Sequence, residues 1–109
     1  MIGLNRVKTW ILIAALGGYV KAREPIPAPS PARGRPTVVL PPLVAAKLAL
    51  YEAMRAERVT NVALAERLGV TEAAVRRLLD LDHRSHIGQV DAALRALGKR
   101  LTIEVRDAA

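Results

Sequence analysis

All seven prolines of this 109-residue chain fall between residues 25 and 42, and none follows. Proline removes a backbone donor and biases the residue before it toward extended geometry. That stretch is therefore closed to regular helix, while residues 43–109 are free to run as continuous secondary structure. The chain divides accordingly into an apolar segment (1–20), a Pro-rich basic linker with a short strand (21–42) and a folded domain (43–109). Within the linker, Glu24-Pro25-Ile26-Pro27-Ala28-Pro29-Ser30-Pro31 alternates proline with other residues. The expected form is an extended, polyproline-like spacer; an SH3-type ligand is the other reading of such a composition. Thr37-Val38-Val39-Leu40 then reads as a short β-branched strand closed by Pro41-Pro42.

The first segment holds the apolar run Trp10-Ile11-Leu12-Ile13-Ala14-Ala15-Leu16, trailing through Gly17-Gly18 to Val20. A bilayer core needs roughly 20 apolar residues, so the run predicts a short helix that packs on something rather than a membrane span. Arg6 and Lys8 precede it, as in a signal peptide, but Lys21 sits inside the only cleavage-like triplet and argues against export.

Charge is unevenly placed. The chain carries 17 Lys+Arg against 10 Asp+Glu, for a formal charge of +7. Six of the bases and only Glu24 among the acids lie in residues 1–42. A basic arm ahead of a mixed-charge domain favours polyanion partners. There is no cysteine and no phenylalanine, and Trp10 is the one tryptophan. Disulfides and thiolate metal sites are excluded, a reducing cytoplasm suits the chain, and the core must come from Leu, Val, Ile and Ala.

Residues 43–58 repeat apolar side chains at Leu43, Ala46, Leu50, Ala53 and Met54, with Lys47, Glu52, Arg55 and Glu57 as the polar positions between. This is helical spacing, and Pro42 suits a helix start. The informative stretch follows: TNVALAERLGVTEAAVRRLL, Thr60 to Leu79. Thr60 is a good N-cap for a helix over Asn61–Leu68 that buries Leu64, Ala65 and Leu68. Gly69 ends it in the left-handed cap conformation, Val70 plugs the turn, and Thr71 caps a second helix with Glu72 in its first turn. Val75, Leu78 and Leu79 face inward. Two short helices, a small residue at their close contact and glycine in a tight turn meet the helix-turn-helix requirement, in which the second helix enters the DNA major groove.

Seven residues are the candidate DNA contacts. Arg76 and Arg77 lie off the apolar face of the second helix, where arginine can pair with guanine or with phosphate. Glu72 and Ala73, with the cap Thr71, sit at the N-terminal end of that helix, the usual place for base contacts, and Glu72 can accept from cytosine N4. Thr60 and Asn61, opening the first helix, can hold a phosphate. For each arginine a merely solvated charge is the competing reading.

Ser85 is expected to cap a further helix, about His86 to Leu97, with Ile87, Val90, Ala93, Leu94 and Leu97 on one face and Gly98 as its stop. His83 and His86 stand beside Asp80 and Asp82 without a further strong donor, so no metal is expected there. Leu101-Thr102-Ile103-Glu104-Val105-Arg106 alternates apolar and polar, as in a half-buried strand. One strand alone is unstable, and Thr37–Leu40 is its evident partner, within the chain or from a second copy. The expected fold class is thus mainly α: a small helix-turn-helix bundle with a short two-stranded β element and an extended Pro-rich N-terminal arm. With no nucleophile–base pair, phosphate loop or carboxylate pair, neither an enzyme nor a cofactor is expected.

REPIPAPSPARGRP, LPPLVAAKLALYEAMR and the long stretch from NVALAERLGV through DHRSHIGQV to LTIEV, together spanning about Ala15 to Val105, resemble the C-terminal part of the HicB-type antitoxins of bacterial toxin–antitoxin operons. The resemblance implies a Xre/Cro-like DNA-binding domain that dimerises on a double-stranded operator and represses its own operon. Such antitoxins carry a partial RNase H-like N-terminal domain that neutralises the HicA toxin. Only 14 residues precede Ala15 here, so on this reading DNA binding carries over and toxin inhibition does not. The expectation is a cytoplasmic, homodimeric, sequence-specific transcription regulator. The alternatives are an antitoxin remnant that binds a HicA-type toxin or another subunit through residues 1–36, and a membrane-tethered regulator using residues 10–20.

Overall fold

The computed structural model describes residues 2–27 and 40–107. These form five helices: α1 (Ile2–Ala22), α2 (Pro42–Glu57), α3 (Asn61–Leu68), α4 (Glu72–Leu79) and α5 (Ile87–Ala96). Pro41 stands at the N-cap of α2 and Pro42 at its first helical position, where the missing N–H is one that a helix leaves unpaired anyway. The Pro41 carbonyl takes the Ala45 N–H at 3.0 Å. Thr60 and Thr71 cap α3 and α4 as their sequence positions predict: each Oγ1 accepts a backbone N–H, from Ala63 and Ala74 respectively, at 3.1 Å.

Four helices end in one geometry. Glu24, Val59, Val70 and Lys99 each donate a backbone N–H to the carbonyl five residues earlier, at 2.9–3.0 Å. The residue before each donor is left-handed: Arg23 (φ 57°) after α1, Arg58 (φ 55°) after α2, Gly69 (φ 67°) after α3 and Gly98 (φ 73°) after α5. This ending satisfies carbonyls that a helix C-terminus otherwise leaves open.

The main core lies where α2, α3, α4 and α5 meet. Leu50, Leu64, Val75, Val90 and Ala93 are fully enclosed there, with Leu78, Leu94 and Leu97 around them. α2 packs on α4 and α5, and α3 packs on the same two helices. α1 adds a second, smaller cluster, in which Ile13 meets Val44, Leu48 and Leu81, with Leu16, Val20 and Ile26 at its margin. No described helix is long and apolar enough to cross a membrane. α1 also runs through Gly17-Gly18 to Ala22, because Ile13, Leu16 and Val20 find partners on α2 and in the turn after α4.

Several expectations are overturned. There is no strand among the described residues. Leu101 rests against the main core, but Ile103 and Val105 are 68% and 92% exposed, and residues 101–107 form no regular element. Thr37, Val38 and Val39 lie outside the described residues, and Leu40 is not in a strand. Alternation says which face a strand would bury; it does not supply the neighbouring strand whose backbone groups it needs. Among the described residues this mainly α fold therefore shows no two-stranded element. Val70 does not plug its turn but is 44% exposed, and Ile87 also faces outward. Nor does Ser85 cap α5. His86 occupies that cap without a side-chain bond, because the Ser85 hydroxyl is engaged elsewhere.

Candidate nucleic-acid interface

α4 presents one apolar and one charged side. Val75, Leu78 and Leu79 are buried, while Arg76 and Arg77 are exposed. Ala73 and Glu72 lie half-exposed in the first turn. Arg76 Nε pairs with Glu72 Oε2 at 2.9 Å, one helical turn away. Exposed pairs of this kind are worth only a few tenths of a kcal/mol, so a phosphate or a base edge can displace Glu72 as the partner. Glu72 is thereby placed as the holder of Arg76.

Ala73, Arg76, Arg77 and Leu79 of α4 border an open groove of about 870 Å³ that α1, α2 and α3 also line. Thr60, Asn61, Ala73, Arg76 and Arg77 all line it; Thr71 and Glu72 do not. Five of the seven residues singled out from the sequence therefore share one concave surface. Both threonines use their hydroxyls as helix caps, so their backbone neighbourhood is what they offer a ligand. The opposite wall was not anticipated. It consists of Lys21 and Arg23 from the end of α1 and of Arg55 and Arg58 from the end of α2, over a floor that includes Val20, Met54 and Val59. Among the described residues, six cations line the groove against one carboxylate, Asp80. Sequence spacing had set Arg55 among the polar positions of its helix. Nothing local in the sequence signals that α1 folds back beside it.

Two side chains of α2 hold the end of α1 in place. The Tyr51 hydroxyl donates to the Glu24 carbonyl at 2.6 Å, with the Tyr19 carbonyl 3.4 Å away. Arg55 Nη1 donates to the Arg23 carbonyl, and its guanidinium carbon lies 6.0 Å from the Tyr51 ring centre.

Lys47 holds the far end of α4. Read from the sequence as a polar position, it is 0% exposed. Its Nζ donates to the carbonyls of Arg77 (2.9 Å), Asp80 (2.6 Å) and His83 (2.7 Å), and the Ser85 hydroxyl is 2.9 Å away. The ammonium thus satisfies carbonyls at the C-terminus of α4 and ties down the turn that follows. Burial pulls Lys47 below the usual lysine range, while the carboxylates of Asp80 and Asp82 oppose that shift. Ser85 Oγ also lies 3.0 Å from His83 Nδ1 and 3.3 Å from the Arg77 carbonyl, which is why it is not available to α5. Among the described residues, no group of His, Cys, Asp and Glu side chains is arranged to hold a metal ion.

No family model matches the chain. Curated relatives do. It is 36% identical over 92 residues to "Antitoxin HicB 2" of Photorhabdus laumondii, a match covering 84% of this chain and 66% of the relative. It is 38% identical over 96 residues to "Antitoxin HicB" of Pseudomonas fluorescens, covering 86% and 66%. Against "Antitoxin HicB" of Escherichia coli K12 it is 36% identical over 93 residues, covering 84% and 67%. The chain thus spans about two thirds of the length of these relatives. At this identity and coverage, the chain belongs to the HicB antitoxin family.

Proposed function

We propose that this chain is a DNA-binding antitoxin that represses its own toxin–antitoxin operon, using α3 and α4 as a helix-turn-helix. The observation that carries the reading is the groove. Residues expected to touch DNA from both helices converge there with six cations and one acid. Arg76 and Arg77 supply base or phosphate contacts from α4, Ala73 leaves space for close approach, and Thr60 and Asn61 bring the start of α3 to the backbone. Thr71 and Glu72 act beside them, as cap of α4 and as partner of Arg76. In this reading the chain is non-catalytic and cytoplasmic, uses no cofactor, and binds a double-stranded operator as a homodimer. Residues 43–109 are the DNA-reading unit and residues 1–42 the arm ahead of it.

The decisive experiment is fluorescence anisotropy of the purified chain with its own promoter fragment and a scrambled duplex. Tighter binding to the promoter is expected, and equal binding to both duplexes would refute sequence-specific repression.

A second reading concerns the toxin. Family membership favours a HicA-type partner, and Trp10 and Ile11 on α1 are each 64% exposed, an apolar face of the kind that marks protein contacts. Co-expression with the neighbouring small reading frame tests it: a stable complex lost in Trp10→Ser supports the contact, and separate elution of the two wild-type chains removes it.

A further inference from the structure

Among the described residues, four helices close with the same left-handed residue, and two of the four are not glycine. Gly69 and Gly98 occupy the position after α3 and α5; Arg23 and Arg58 occupy it after α1 and α2. A non-glycine residue is strained in this conformation, by about 1 kcal/mol or more, so glycine or asparagine is the ordinary occupant. The helix dipole does not account for arginine here. A cation already stands in the last turn of each helix, Lys21 in α1 and Arg55 in α2. What separates the two arginines from the two glycines is location. Arg23 and Arg58 both line the basic groove, and neither Gly69 nor Gly98 does. The side chains of Arg23, Arg58 and Lys21 are exposed and form no ion pair with another described residue.

We infer that Arg23 and Arg58, together with Lys21, form a phosphate-holding ridge that faces α4 across the groove and grips the backbone of duplex DNA. The inference rests on the DNA-binding reading and adds to it a second wall, built from the end of α1 rather than from the helix-turn-helix. The two helix ends set the backbone origins of both arginines on one wall of the groove, and their exposed guanidiniums are free to reach the phosphates of a duplex. The tie from Tyr51 and Arg55 to the carbonyls of Glu24 and Arg23 holds one half of the ridge in register with the other. Such contacts orient the protein on DNA and carry no sequence information of their own.

The test uses Arg23→Gly, Arg58→Asn and Lys21→Gln in the full chain. The first two place favoured residues at the left-handed positions, so their thermal melts should match or exceed wild type. Affinity is measured for the promoter duplex and a scrambled duplex between 50 and 200 mM salt. Each lost phosphate contact should reduce the salt slope by about 0.9, making binding about 3.5-fold less sensitive to that fourfold rise in salt. Both duplexes should weaken by the same factor, leaving their ratio unchanged. Arg58→Lys should recover most of the slope. Wild-type slopes in all three neutral variants, alongside a wild-type chain that binds DNA, would overturn the ridge and leave the proposed function standing. A wild-type chain that binds neither duplex would overturn the proposed function and the ridge together.

Discussion

At Lys47, a single side chain organises the end of α4. A fully buried ammonium that meets the carbonyls of Arg77, Asp80 and His83 and the hydroxyl of Ser85 acts as a cap supplied from another helix. Replacing it leaves acceptors buried without donors, which costs more than the bonds themselves contribute. Lys47→Met keeps the apolar stem and removes the donors, and it should destabilise the chain by about 2–4 kcal/mol, read as a lower urea midpoint. A midpoint unchanged within half a kcal/mol would mean that the ammonium adds nothing net. None of this was legible beforehand. The partners lie 30 to 38 residues away in the chain, and a lysine among apolar helical positions looks the same whether it points to solvent or into a ring of carbonyls. Ser85 was misread for the same reason. A serine ahead of a helix is a sound local signal for a cap, but here a distant partner claims it.

At the scale of elements, helices specified by neighbouring residues are legible in the sequence, and elements that depend on distant partners are not. The bounds of α3 and the start of α4 were legible because the caps sit within one contiguous stretch, with Thr60, Gly69 and Thr71 each fixing a boundary; the turn was not, since Val70 is exposed, and Leu68, expected to be buried, is only half-buried. Thr60→Ala and Thr71→Ala should each cost about 1 kcal/mol in a thermal or denaturant melt, with the effects adding because the caps serve different helices. Equal stability of the double variant and wild type would show that the hydroxyls do not carry the caps. The tail from Leu101 fared worse, since its alternating pattern needed a partner strand. α1 shows the converse. Gly17 and Gly18 are poor helix formers, yet packing carries the helix through both. Of the two, Gly18 has open space where a Cβ would stand, so Gly18→Ala should stabilise by about 0.5–1 kcal/mol. A loss of stability would show that the glycine is needed for some closer approach.

Over the whole molecule, the candidate site was half legible. The α4 wall could be read from its amphipathic pattern. The opposite wall depends on α1 lying beside α2, a consequence of Ile13, Val44, Leu48 and Leu81 meeting across about thirty to seventy residues of chain. In the proposed DNA-binding role, the length of α4 limits the word that one copy can read. α4 has eight residues and is therefore about 12 Å long, which spans roughly four base pairs at 3.4 Å each. So short a word recurs throughout any genome, and one copy cannot single out one operator. Two copies reading two half-sites can, with centres about 34–36 Å apart, one turn of the duplex. Inserting five base pairs between the half-sites of the operator turns them to opposite faces of the DNA. A symmetric dimer can then engage only one, and its affinity should fall at least tenfold, to that of an isolated half-site. Removing Arg76 and Arg77 together should weaken binding to the intact operator by about 1–3 kcal/mol for each arginine that contacts a base, and should leave little difference between intact and spaced operators. An operator that binds as tightly after the insertion as before would show that each chain reads DNA alone, and the homodimer would then have no part in recognition.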